Sequence, residues 1–327
     1  MLLGVCIFAS GLLFTLSLTL FLSRLASRGS SLRASDGVLA SGGIAIAAGF
    51  FATAEAYLVL GNSYPKMQFL IMASLAMFIF GLLDDVHEFS VGLKFLSQII
   101  ACSIAVAGGI KTEIVYIGPW VNIIITYIWV LGITNAFNHL DVLDGVTAGT
   151  TVFISAGFLV ISLFTGQPIV TVIAASLLAC ASGFFIFNFP PARIYMGNSG
   201  SHFLGFVLSL TALMIDYAPM QRKIALISPL LLLGLPIFDS AFLIWVRLKQ
   251  GRSIVKKSGD HFCLRLLQKI PSKKKTLFLM LGLALFFVSC GVITSRFSNL
   301  AGLLVIILCL GVSIPIMWLM AKVKVDA

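Results

Sequence analysis

The sequence predicts an all-α integral membrane protein, a polytopic bundle of about 11 transmembrane helices with its N-terminus outside and its C-terminus cytoplasmic. Three observations carry that expectation. Of 327 residues, 59% are hydrophobic and only 10% are charged, where a soluble globular protein carries roughly 25%. A soluble fold of this length would lack the polar side chains to cover its surface. The apolar residues form continuous runs rather than the alternation of a membrane β-barrel, and helices satisfy their own backbone segment by segment in lipid. Finally, the Lys and Arg residues fall mostly on one side of those runs.

A bilayer crossing needs about 20 apolar residues. Such stretches lie near 3–22, 38–60, 67–83, 91–108, 120–137, 146–164, 168–187, 203–218, 223–246, 275–294 and 299–321. The first has no basic residue before it and is followed by Arg24, Arg28 and Arg33, which reads as an anchor rather than a cleaved signal. With the N-terminus outside, 17 of the 22 Lys and Arg residues fall inside and 5 outside. The net charge of +10 therefore reports topology rather than nucleic-acid binding, and it gives the inner face an attractive field for anions. All four His fall on that face, with Asp84, Asp85, Glu88, Asp141, Asp144, Asp239 and Asp260. The outer face keeps Glu55, Glu113 and Asp216. Polar chemistry gathered on one face implies one active or binding surface at the inner boundary.

The six Cys form no CxxC pair. Five lie in apolar runs and read as small packing residues, not disulfides or zinc ligands. No internal repeat is evident, and residues 1–327 read as a single domain. Its long polar segment, 247–275, is basic and predicts a cytoplasmic loop with a short amphipathic helix near 260–269.

Five groups of residues could carry chemistry. Asp84 and Asp85 end the third run in "GLLDD". Adjacent carboxylates at a membrane boundary are costly if dry and unpaired, so they read either as a hydrated loop start or as a cation site. Lys94 and Gln98, four residues apart, share a helix face on which Lys94 could bind phosphate or neutralise the Asp pair. In "NAFNHLDVLDG", Asn135, Asn138, Asp141 and Asp144 recur every third residue before Gly145. An unwound helix end would bring these oxygens to one side, and such donors suit Mg²⁺ beside substrate phosphates. In "FNFPPARIYMGNSGS", Asn188 and Tyr195 precede a Gly-Asn-Ser-Gly-Ser turn whose free N–H groups face an anion. Tyr195 reads as a base-stacking ring or an interfacial anchor. Asp239, in "PIFDS", is an intramembrane acid. Asp260, His261 and Arg265 lie in the basic loop, as a charged surface helix or part of a site.

These motifs resemble the polyprenyl-phosphate N-acetylhexosamine-1-phosphate transferases, a family that includes the phospho-MurNAc-pentapeptide translocase and the undecaprenyl-phosphate GlcNAc-1-phosphate transferases of cell-envelope polysaccharide synthesis. The resemblance covers about 41–267 in order, spacing and side. It implies a multi-pass protein of the bacterial plasma membrane with a cytoplasmic site. It further implies an Mg²⁺-dependent reaction, with Mn²⁺ as an alternative ion. Sugar-1-phosphate would pass from a UDP-N-acetylhexosamine to a polyprenyl phosphate such as undecaprenyl phosphate, releasing UMP. On this resemblance Asp84 or Asp85 holds or deprotonates the lipid phosphate, and Lys94 steadies phosphate charge. Asn138 and Asn198 face the metal. Asp141, Asp144 and Asn188 line the nucleotide site, with Tyr195 on uracil, and His261 and Arg265 meet the sugar or diphosphate. Partners are the two substrates and the bilayer, with no nucleic acid; an oligomer is left open.

The chain departs from the family pattern in four places. Asn198 stands where the pattern has a metal-binding Asp, which implies weaker Mg²⁺ binding, compensation by another acid, or a catalytically impaired member. Val142 replaces a Gly, and Cys263 and Leu264 replace two His of the sugar loop. "VLASGG" lacks a Pro before Gly-Gly. A transporter reading is disfavoured because the acids sit at inner span ends without a repeat. A CDP-alcohol phosphatidyltransferase would need further Ala-Arg and Asp residues downstream of "DVLDG", and position 149 is Gly.

Overall fold

The computed structural model describes residues 2–25, 39–60, 64–218, 221–253 and 259–323. Arg28, Arg33, Lys256, Lys257 and Lys324, all part of the charge bias, lie outside them. The chain folds as α1 (Leu2–Leu25), α2 (Gly42–Val59), α3 (Pro65–His87), α4 (Val91–Ala107), α5 (Pro119–Leu140), α6 (Val146–Thr165), α7 (Pro168–Asn188) and α8 (Gly197–Met214). After a 3₁₀ turn at Lys223–Ile227 come α9 (Ser228–Leu232), α10 (Gly234–Lys249), α11 (Phe262–Lys269), α12 (Lys273–Arg296) and α13 (Asn299–Ala321). Leu39–Ala40 (β1) and Ile194–Tyr195 (β2) form a two-residue parallel pair.

Among the described residues eight helices are long and apolar enough to cross a bilayer, or nine crossings if one bent pair counts as a single span. Every apolar stretch holds a helix among the described residues, yet the expected count of 11 is not reproduced, for three local reasons. α4 is only 17 residues long. α8 begins with Gly-Asn-Ser-Gly-Ser, so its first turn and a half is polar. The segment from Lys223 to Lys249 bends by 74° between Leu232 and Gly234. The expected amphipathic helix is present as α11.

α8 is the centre of the bundle. It is buried continuously from Ser199 to Ala212 and packs against α2, α3 and α5. Two glycines permit this approach. A Cβ on Gly81 would lie 2.6 Å from Ser199 Cα, and one on Gly43 would lie 2.7 Å from Gly200 Cα. Small residues are the usual means of bringing helix backbones together in lipid. At the periphery, α13 buries only Gly302, Cys309 and Met320 and shows Leu303, Leu304, Ile307 and Ile314 outward, a face suited to acyl chains.

Gly43→Ala is expected to push α2 from α8, because the obstructing atoms are backbone. Overpacking of this kind costs about 1–3 kcal/mol, visible as a lowered unfolding midpoint in detergent.

Candidate active site

The site is built around the start of α8. Asp85, in the last turn of α3, accepts hydrogen bonds from the Asn198 N–H at 2.6 Å and the Ser199 N–H at 3.0 Å. These amides are the unsatisfied donors at a helix N-terminus, where the helix dipole also favours negative charge. Two of the N–H groups expected to face an anion are thus engaged by the chain's own carboxylate. Gly197 enters this turn at φ +74°.

Asp84 points elsewhere. It is 4% exposed, its Oδ1 accepts from the Phe89 N–H at 2.7 Å, and its Oδ2 pairs with Lys94 Nζ at 2.7 Å. α4 thus brings the lysine to the Asp pair, one of the two roles expected of it. Beside it, Gln98 and Asn135 exchange amide hydrogen bonds of 3.2 and 2.7 Å, which ties α4 to α5.

α5 carries Asn138 to α8. Its Nδ2 donates to Asn198 Oδ1 at 3.0 Å and to Ser201 Oγ at 3.1 Å. The two amides implied as metal-facing are therefore in direct contact, and Asn198 is simultaneously anchored to Asp85 through its backbone. α5 ends at Leu140, and Asp141 to Gly145 form an unwound turn, with Gly145 at φ +81°. Asp141 lies at that turn. Its desolvation, with Asp85 and Asp144 adding repulsion and a nearby Thr147 hydroxyl opposing, pushes its carboxyl up to about 6. Asp144 accepts from the Ala192 N–H and from Lys273 Nζ, both at 3.3 Å. Among the described residues no three His, Cys, Asp or Glu side chains gather as a metal cluster.

Asn188 is 4% exposed. Its Oδ1 accepts from the Gly145 N–H at 2.9 Å and its Nδ2 donates to the Ile194 carbonyl at 3.0 Å. Both ends of its amide are used to hold the Asp144–Gly145 turn beside β2, which carries half-buried Tyr195.

The loop before α11 forms the other wall. Asp239, fully buried, accepts from His261 Nδ1 at 3.1 Å and from the Phe262 N–H at 3.0 Å. The His261 ring stands 6.1 Å from that of His139. Arg265 differs from expectation. It is 1% exposed, its Nη2 bonds Asp260 Oδ1 at 2.8 Å, and its Nη1 donates to the carbonyls of Met320, Ala321 and Val323 at the end of α13. A buried cation at a helix C-terminus is favourable, and both terminal nitrogens of this guanidinium are bonded to protein. Asp260 is likewise an internal partner rather than a surface charge.

Sequence reasoning gave no role to His139, although it directly follows Asn138. The Gly-Gly of "VLASGG" was noted only as a departure from the family pattern; in the structure it starts α2, and the Gly43 N–H donates to the Met196 carbonyl at 2.9 Å.

The model of glycosyl transferase family 4 matches residues 67–216, which hold Asp84, Asp85, Lys94, the Asn138–Asp144 segment, Asn188, Tyr195 and Asn198. The chain is 32% identical over 211 residues to a probable undecaprenyl-phosphate N-acetylglucosaminyl 1-phosphate transferase of Bacillus subtilis, covering 62% of this chain and 58% of the relative. It is 29% identical to an undecaprenyl-phosphate alpha-N-acetylglucosaminyl 1-phosphate transferase of Thermotoga maritima, over 65% of this chain and 66% of the relative. A decaprenyl-phosphate N-acetylglucosaminephosphotransferase of Mycobacterium leprae is 29% identical over 78% of this chain and 71% of its own length. The matches with the first two relatives thus span 58% and 66% of their length.

Asp141 supplies a pH prediction. A carboxyl raised in the folded state holds its proton there while the unfolded chain has lost it, so it destabilises the fold as pH rises from about 4 through about 6. Asp141→Asn is expected to unfold at a higher temperature than wild type above pH 6 in chelator, and the difference should close toward pH 4.

Proposed function

The chain belongs to the polyprenyl-phosphate N-acetylhexosamine-1-phosphate transferase family, and on that premise we propose that it transfers N-acetylhexosamine-1-phosphate from a UDP-sugar to a polyprenyl phosphate at the cytoplasmic face of a bacterial plasma membrane. One observation carries the reading. Asp85, Asn138 and Asn198, from three helices distant in sequence, meet at one point through bonds of 2.6 and 3.0 Å, with Asp84, Lys94 and Asp141 adjacent in the chain or paired beside them.

In the proposed reaction an oxygen of the lipid phosphate attacks the β-phosphorus of the UDP-sugar. The bond from that phosphorus to the bridging oxygen breaks, and UMP leaves with the oxygen. A phosphate monoester has a second pKa of about 6 and is largely ionised at neutral pH, so the attack needs placement and charge neutralisation more than a strong base. Lys94 meets the acceptor phosphate while remaining against Asp84. Asp85 does not take a proton in this scheme; it fixes the start of α8 and thereby Asn198. Asp141 and Asp144 border the nucleotide, Asn188 holds the turn that carries Asp144, and Tyr195 offers a ring to uracil. His261, oriented by Asp239, faces the sugar. Arg265 secures the loop from behind.

The donor set fits Mg²⁺ in a reduced form. Asn138 uses its Nδ2 on Asn198 and Ser201, which leaves its Oδ1 for an ion, and Asn198 offers one neutral oxygen rather than a carboxylate. The neighbouring carboxylates of Asp85 and Asp144, which add to the effect of desolvation on Asp141, favour a cation. Bound there, Mg²⁺ or Mn²⁺ would neutralise diphosphate charge. Asn198 also favours a second reading, a family member whose catalysis is impaired.

Membranes given radiolabelled UDP-GlcNAc or UDP-GalNAc, undecaprenyl phosphate and Mg²⁺ are expected to form a lipid-soluble product and UMP. No product with any UDP-sugar and either ion would favour the impaired reading. Asn198→Asp is expected to reach half-maximal rate at lower Mg²⁺; an unchanged metal optimum would place Asn198 away from the ion. Asp141→Asn should lower turnover at least about tenfold through lost electrostatic stabilisation, and a wild-type rate would remove Asp141 from the site.

A further inference from the structure

The α11 loop offers the site little beyond one imidazole. Phe262 and Cys263 are 3% and 0% exposed and turn into the core that holds Leu140, Phe238 and Phe242. Leu264 packs against the same core, and Arg265 is committed to Asp260 and the end of α13. His261 remains, with Nδ1 on Asp239 at 3.1 Å. Against its ring, at 6.1 Å and an interplanar angle of 61°, stands His139. His139 comes from α5, one residue after Asn138 and two before Asp141. It is half-buried, and its ring nitrogens make no hydrogen bond among the described residues. Asp239, Arg247 and His202 lie within electrostatic range.

An imidazole used only for packing would be an expensive choice beside apolar Leu140, whereas one that keeps both nitrogens open between two walls of a polar site is available to a ligand. We propose that His139 is a donor-binding residue: its ring hydrogen-bonds the sugar or β-phosphate portion of the UDP-sugar, and its edge-to-face contact with His261 joins the Asn138–Asp141 segment to the α11 loop around that group. The inference rests on the transferase reading and adds to it a residue from outside the basic loop that selects the donor. UMP lacks the sugar and the β-phosphate, so it should not sense the change.

The test uses the full-length protein in detergent with three variants. His139→Phe keeps a ring against His261 but has no ring nitrogen, His139→Leu removes both, and His139→Gln keeps hydrogen-bonding groups. Calorimetric binding of UDP-GlcNAc, UDP-GalNAc and UMP is measured, with KM for both substrates. Loss of one hydrogen bond to a charged or polar ligand group corresponds to about tenfold weaker binding. The Phe and Leu variants are expected to lose about tenfold in UDP-sugar affinity. UMP affinity and the KM for undecaprenyl phosphate should stay unchanged, and Gln should recover most of the loss. UDP-sugar binding by His139→Phe equal to wild type would overturn the proposal, because the ring would then serve packing alone. Equal losses for UMP and UDP-sugar would also overturn it, since the residue would then support the nucleotide pocket generally. If the Leu variant fails to fold, Phe and Gln decide the matter. If wild type binds UMP but neither UDP-sugar, the transferase reading itself falls, an outcome distinct from a variant that matches a binding-competent wild type.

Discussion

The contact between the Asp85 carboxylate and the first amides of α8 is the constraint on which the rest of the site depends. Helix N-termini carry unsatisfied N–H groups and a partial positive charge, and in a membrane protein those donors cannot be left dry. Here the carboxylate of a second helix satisfies two of them. That bond fixes the start of α8 against α3, and Asn138 on α5 in turn bonds Asn198 and Ser201. A charge-assisted pair of this kind is both stronger and more directional than a neutral one. It explains why two adjacent acids have different partners: Asp85 faces α8, while Asp84 faces Lys94.

Close packing makes this contact reachable. Gly81 precedes the acids by one helical turn and lies against Ser199, and Gly43 lies against Gly200. Had either carried a side chain, α8 could not sit near enough for a carboxylate to span the gap. The Asn188 amide performs a comparable task on the other wall, bracing the Asp144–Gly145 turn against β2. Much of the polar inventory of this face thus holds backbone in place.

The substitution of Asn for Asp at position 198 fits this arrangement without strain, since its oxygen accepts from Asn138 as a carboxylate would. Its consequence is electrostatic rather than steric. Asn198 carries one negative charge fewer than an Asp would beside Asp85, which reduces repulsion there.

Composition and charge bias alone determined that this is a helical membrane protein, because apolar surface and unsatisfied backbone leave a chain of this kind no other solution. Motif order picked out the polar clusters; Asp84, Asp85 and Asn138 stood out because such residues are costly in an apolar chain, whereas Asn198 stood out only through the family resemblance of its motif. The sequence could not reveal which carboxylate caps a helix, since that depends on how α3 is rotated against α8. Nor could it show that Arg265 turns inward to the end of α13 while His139 turns toward His261. A residue type states what a side chain can bond to; only the packing of helices far apart in the chain decides whether protein or ligand occupies that bond.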